Sequence, residues 1–132
     1  VSFSSQITAF GERAAKRVQE VRRGVTIKLF NAVILDTPVD SGRLRGNWQI
    51  TEGAPASGTL EREDKSGRGP MGEVEAKVKQ SDGDVSLFLT NNLPYAGRVE
   101  FEGWSHTKAP EGMVRKNVAR FGRLIKVEVA NK

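Results

Sequence analysis

Apolar residues in the first quarter of the chain fall at helical intervals. Ile7, Phe10, Ala14, Val18, Val21, Val25 and Leu29 recur at steps of three and four. That spacing holds them on one stripe of a helix over residues 5–36. Arg13, Lys16, Arg17, Arg22, Arg23 and Lys28 fall mainly on the other face. Ser4 or Ser5 is placed to cap the first N–H groups. Gly24 costs about 1 kcal/mol relative to Ala and permits a bend. Pro38 biases Thr37 away from helical geometry, so the helix is expected to stop near Asp36.

Beyond it the pattern shortens. Thr37-Pro38-Val39-Asp40-Ser41-Gly42 reads as a turn, with Gly42 free to take a positive φ. Arg43–Thr51 leads into a strand in which Leu44, Trp48 and Ile50 share a face by alternation. Residues 52–72 hold no period; rich in Gly, Pro and charge, they predict a long flexible loop. Val74, Ala76 and Val78 alternate with polar and charged residues and predict a strand over residues 73–79. Ser81-Asp82-Gly83-Asp84 then reads as a hairpin turn, with Val85–Thr90 as the returning strand. A last helix over residues 110–130 opens at Ala109-Pro110-Glu111 and buries Val114, Val118, Phe121 and Ile125. The expected fold is a single α+β domain over residues 1–132. A long N-terminal and a C-terminal helix pack on an antiparallel sheet of three or four strands.

Composition narrows the chemistry. The sequence has no cysteine, which excludes disulfides, thiolate metal sites and thiol nucleophiles and fits a protein made in a reducing cytoplasm. No run of about 18 apolar residues is present, so no membrane span or membrane partner is expected. Val1–Ser5 shows no basic segment leading into an apolar one, so no cleaved leader is expected in this stretch. The net charge of +5 is unevenly spread: residues 1–30 and 106–132 are basic and residues 31–105 acidic. In a head-to-tail assembly a basic end would meet a neighbour's acidic middle.

Catalysis has little support. His106, the sole histidine, adjoins Ser105 in sequence, whereas catalytic partners converge from separated segments. Neither a nucleophile elbow nor a phosphate-binding loop is present. Asp82-Gly83-Asp84 lacks the further carboxylates of a calcium loop, so no metal and no cofactor is expected. A basic nucleic-acid-binding module is the alternative from another class, through phosphate contacts and counterion release. The basic residues are not interleaved with exposed aromatics, and no base-reading motif is visible.

Two segments carry a more specific signal. One is Leu35-Asp36-Thr37-Pro38-Val39-Asp40-Ser41-Gly42-Arg43-Leu44-Arg45-Gly46-Asn47-Trp48. The other runs from Asn91-Asn92-Leu93-Pro94-Tyr95-Ala96 through Glu100-Phe101-Glu102-Gly103-Trp104-Ser105 to Ala109-Pro110-Glu111-Gly112-Met113-Val114-Arg115. In this order they resemble the tail-completion or neck (head–tail joining) proteins of long-tailed bacteriophages, with Ser41 where that family usually has Thr. The resemblance implies a virion structural protein and not an enzyme, assembled in the host bacterial cytoplasm. It implies a six-fold homo-oligomeric ring around the DNA passage. Its partners would be the adjacent head-completion or connector ring and the tail tube or tail terminator, with non-specific contact to genomic DNA in the lumen. A tail terminator capping the tube is the alternative within that class. The candidate subunit contacts are Arg43 and Arg45, Trp104, and the charged run Glu61, Arg62, Glu63, Asp64 and Lys65 in the long loop.

Overall fold

The computed structural model describes residues 2–81, 85–102 and 112–120. Helix α1 spans Phe3–Leu35 and is about 50 Å long at 1.5 Å per residue. It starts slightly earlier than its pattern suggests. Ser2 is the cap, its Oγ accepting the Ser5 N–H at 3.1 Å. At the other end Thr37 donates its Oγ1–H to the Val33 carbonyl at 2.8 Å, and Pro38 follows.

A short helix α2 (Arg43–Gly46) leads into strand β1 (Gln49–Glu52). After an irregular stretch come helix α3 (Arg68–Gln80), strand β2 (Leu87–Thr90), and helices α4 (Ala96–Phe101) and α5 (Val114–Ala119). β1 and β2 pair antiparallel in the register Gln49↔Thr90, Ile50↔Leu89, Thr51↔Phe88 and Glu52↔Leu87. The class is α+β, helix-rich, with two strands among the described residues rather than three or four.

Residues 73–79 account for most of that difference. They lie in α3, not in a strand, so β2 pairs with the distant β1 instead of closing a hairpin. Pro70, Val74 and Val78 stand four apart and are all buried, which is a helical face. Pro70 lies in the first turn, where its missing N–H has no intrahelical acceptor to lose. The long loop is correspondingly shorter than 52–72, since its last five residues already belong to α3. Arg43–Gly46 is likewise a helical turn, and the strand is confined to Gln49–Glu52.

Val33, Ile34, Leu44, Trp48, Val74, Val78, Leu93, Ala96, Val99 and Met113 form one buried cluster under α1. Fully burying a side chain such as Ile34 contributes about 1.5–3 kcal/mol. In α5 the buried residue is Asn117, while Val114 and Val118 are exposed, the reverse of the expected stripe. Asn117 Nδ2 donates to Asp36 Oδ2 at 2.9 Å, and the Lys116 ammonium lies 3.3 Å from the same oxygen. These polar contacts fix α5 to the end of α1. Phe121 and Ile125, the hairpin turn at Asp82–Asp84, and the remainder of the 110–130 helix lie outside the described residues.

Candidate functional site

Three features stand out, and two of them hold the fold. The first is a junction between the turn after α1 and residues 60–69. Gly42 has φ +91°, and a Cβ there would sit 2.6 Å from the Lys65 backbone nitrogen. Its carbonyl accepts the Asp64 N–H at 2.8 Å. At Gly46 a Cβ would meet the Arg62 carbonyl at 2.7 Å. Two strands of backbone therefore touch where only glycine leaves room.

Side chains then close this junction. Arg45 donates to the carbonyls of Leu35 (2.7 Å), Thr37 (2.8 Å) and Lys65 (2.7 Å). Arg62 donates to the Gly46 carbonyl at 2.7 Å and to Glu73 Oε1 at 3.0 Å. Trp48 is 4% exposed, and its Nε1–H reaches Thr37 Oγ1 at 2.8 Å. Asn47 Oδ1 accepts the Leu60 N–H at 2.7 Å, and Asn91 Nδ2 donates to the Leu44 carbonyl at 2.8 Å.

Asp64 completes the frame by capping α3. The Ncap residue Gly67 has no side chain to offer. Asp64 instead accepts N–H groups from Gly69 (2.7 Å), Gly67 (3.0 Å) and Ser66 (3.1 Å), and the Ser66 hydroxyl at 2.8 Å. The Gly69 N–H, followed by the Ser66 hydroxyl, holds its carboxyl below the usual Asp range.

The second feature is a carboxylate clasp between α4 and α5. Glu100 is 6% exposed. It accepts the backbone N–H groups of Met113 (2.5 Å), Val114 (2.9 Å) and Arg115 (2.7 Å). Arg115 Nε lies 3.3 Å from Oε1, and the same guanidinium donates to the Glu100 carbonyl. Burial pushes this carboxyl upward. The three N–H donors and the Arg115 charge outweigh burial, so its pKa is lowered overall. Gly112 has φ +84°, and a Cβ there would fall 2.6 Å from Glu100 Oε2.

The third feature is the N-terminal half of α1. Residues 2–18 are exposed apart from a half-buried Ala9. Further along the helix, Gln19 Nε2 donates to the Ser81 carbonyl at 3.4 Å. Arg23 donates to the same oxygen at 3.1 Å, and Arg22 donates to the Val85 carbonyl.

Among the sequence-derived contact residues, the structure brings Arg45, Arg62, Asp64 and the Lys65 backbone together around Gly42–Gly46. Arg62 and Asp64 thus have partners within the chain, in a segment whose pattern predicts a flexible loop. Arg43, Glu61 and Glu63 are exposed. Trp104 and His106 lie outside the described residues. Sequence reasoning missed Glu100 and the exposed arm of α1. A glycine just before Met113-Val114-Arg115 was the available hint that an outside carboxylate caps this turn.

Among the described residues no three His, Cys, Asp or Glu side chains gather as a metal site, and no helix is long and apolar enough to cross a membrane. No family model, curated protein or solved structure matches the chain.

Proposed function

We propose that the chain is a structural protein of the virion neck of a long-tailed bacteriophage. It acts as a tail-completion or head–tail joining component and assembles as a ring, six-fold by the resemblance, around the DNA passage. The observation that carries this reading is the ordered set of segments from Thr37-Pro38-Val39-Asp40-Ser41-Gly42 to Gly112-Met113-Val114-Arg115. The frame gives those residues a common task. Thr37, Gly42, Arg45, Asn47 and Trp48 tie the end of α1 to the 60–69 segment, while Glu100, Gly112 and Arg115 tie α4 to α5.

A frame of this kind supports a mechanical role. It fixes the C-terminal half of α1 and leaves residues 2–18 exposed apart from the half-buried Ala9. Arg43, Glu61 and Glu63 point their charges outward near the junction and are placed to meet a neighbouring subunit or ring.

Immunogold labelling of purified virions tests the location. Gold at the joint between head and tail is expected. Gold on the capsid or tail tip, or virions that carry none of the protein, would overturn the assignment.

A further inference from the structure

The sheet leaves the outer edge of β2 open. The Gly53 N–H donates to the Ser86 carbonyl at 2.8 Å, which makes these two a hydrogen-bonded pair one step beyond Glu52↔Leu87. Bonded and non-bonded pairs alternate along an antiparallel ladder. Thr51↔Phe88 and Gln49↔Thr90 are therefore bonded pairs, whereas Ile50↔Leu89 and Glu52↔Leu87 are not. The N–H and C=O groups of Leu87 and Leu89 thus point away from β1. Among the described residues no hydrogen bond reaches any of these four groups.

The far side of β1 differs. Ala76, Lys77 and Gln80 of α3 face Ile50 and Thr51 across a groove there. Among the described residues no helix packs on β2 as closely as α3 packs on β1. Beside Leu89 lies an apolar pocket of about 340 Å³, to which Trp48, Ala96, Met113 and Val114 contribute. A free backbone edge next to a side-chain pocket suits an extended segment. The edge holds its main chain by hydrogen bonds, and the pocket takes up its alternate side chains.

The chain itself supplies such a segment. α5 ends at Ala119, with Arg120 as its C-cap. Beyond it, Ile125, Val127 and Val129 alternate with Lys126 and Glu128. Residues 73–79 alternate similarly within a helix, but there Ala76 stands in the middle and Pro70 opens the first turn. After Arg120 every apolar position of the alternation is β-branched, which favours a strand. The position fits as well. Met113, Val114 and Arg115, where α5 begins, line the pocket at Leu89. α5 is about 9 Å long, and the chain from Arg120 to Ile125 reaches up to about 17 Å. Ile125 can therefore return to Leu89, and Val127 then falls at Leu87.

We infer that residues 125–129 of the same chain add to β2 as a third, antiparallel strand. With Ile125 opposite Leu89 and Val127 opposite Leu87, the free N–H and C=O groups of β2 are paired. The apolar side chains then share the face of Leu87 and Leu89, and Lys126 shares that of Phe88. A second copy could offer the same segment. Its attachment to α5, however, holds the chain's own segment beside the edge at an effective concentration of about millimolar. Lys126 and Glu128 place charge on the new outer strand, which discourages any further strand from adding. The sheet is thereby closed to pairing between copies, and subunits meet through other surfaces. This inference does not depend on the neck assignment.

Amide hydrogen exchange of the full chain, followed by NMR, tests the pairing. The Leu87 and Leu89 N–H groups are expected to exchange at least about 100-fold more slowly than in an unstructured peptide, at every chain concentration. Successive N–H groups of a strand point to opposite sides, so a variant carrying both Lys126→Pro and Val127→Pro loses a ladder bond in either register. In that variant Leu87 and Leu89 should exchange freely, while Phe88 and Thr90, bonded to β1, keep their protection and show that the fold is intact. Free exchange at Leu87 and Leu89 in the wild-type chain would overturn the inference, because the edge would be open. Protection that survives both prolines would overturn it in favour of some other cover. Protection that grows with chain concentration would give the edge to a second copy and overturn it as well.

Discussion

Replacing Glu100 with Gln keeps the side chain's shape and removes its charge. In the folded protein one carboxylate oxygen accepts the Met113 and Val114 N–H groups, and the other accepts the N–H and Nε–H of Arg115. An amide supplies one acceptor oxygen, so one of these pairs faces an NH₂ group instead. Each buried donor left unpaired costs about 1–3 kcal/mol, and Arg115 Nε recovers part of its loss by turning to water. The expected destabilisation is about 2–4 kcal/mol, a large fraction of the stability of a domain this size. Urea unfolding followed by tryptophan fluorescence measures it, since Trp48 is buried in the core. With a slope of about 1–3 kcal/mol per molar, the midpoint falls by roughly 1–2 M with the slope unchanged. A loss below about 0.5 kcal/mol, the range of ordinary surface substitutions, would refute the clasp as a fastening of α5.

Asp64→Ala removes the cap of α3 and is expected to cost about 0.5–2 kcal/mol, with hydrogen exchange accelerating first at Gly67 and Gly69. Exchange confined to other segments would contradict that role. Gly42→Ala forces a Cβ against the Lys65 backbone at a positive φ, a strain of at least about 1–3 kcal/mol, and the melting temperature should fall accordingly. An unchanged melting temperature would show that the junction can part without cost. Asp64 and Glu100 both have lowered pKa values in the fold, so the unfolded chain binds their protons more tightly. Their stabilisation is complete above the unfolded carboxyl values of about 4 and is lost as pH falls through the lower folded values. Stability measured from pH 6 to pH 3 should therefore decline below about pH 4, and by less in Glu100→Gln. A flat profile would contradict both assignments.

The parts of the fold that local physics decides were legible in the sequence. The α1 stripe, the stop before Pro38, and the positive φ at Gly42 each follow from a few neighbouring residues. α3 was not legible, because Val74, Ala76 and Val78 fit an alternating strand as readily as Val74 and Val78 fit a helix. Pro70 at the preceding helical step was the tie-breaker. The β1–β2 pairing joins segments separated by a helix, and no local pattern encodes its register. Glu100 looked like an ordinary charged residue. Its role depends on three N–H groups more than a dozen positions away. The arm's stripe was read correctly as helical, but periodicity alone does not tell whether such a face meets the chain's own core or another molecule.

Deletion of the gene from the phage or prophage that carries it, with negative-stain microscopy of the lysate, tests the neck assignment most directly. Filled heads beside separate tails of normal length are the predicted result. Overlong, irregular tubes would reassign the protein to tail termination. Intact infectious particles would contradict a neck role altogether.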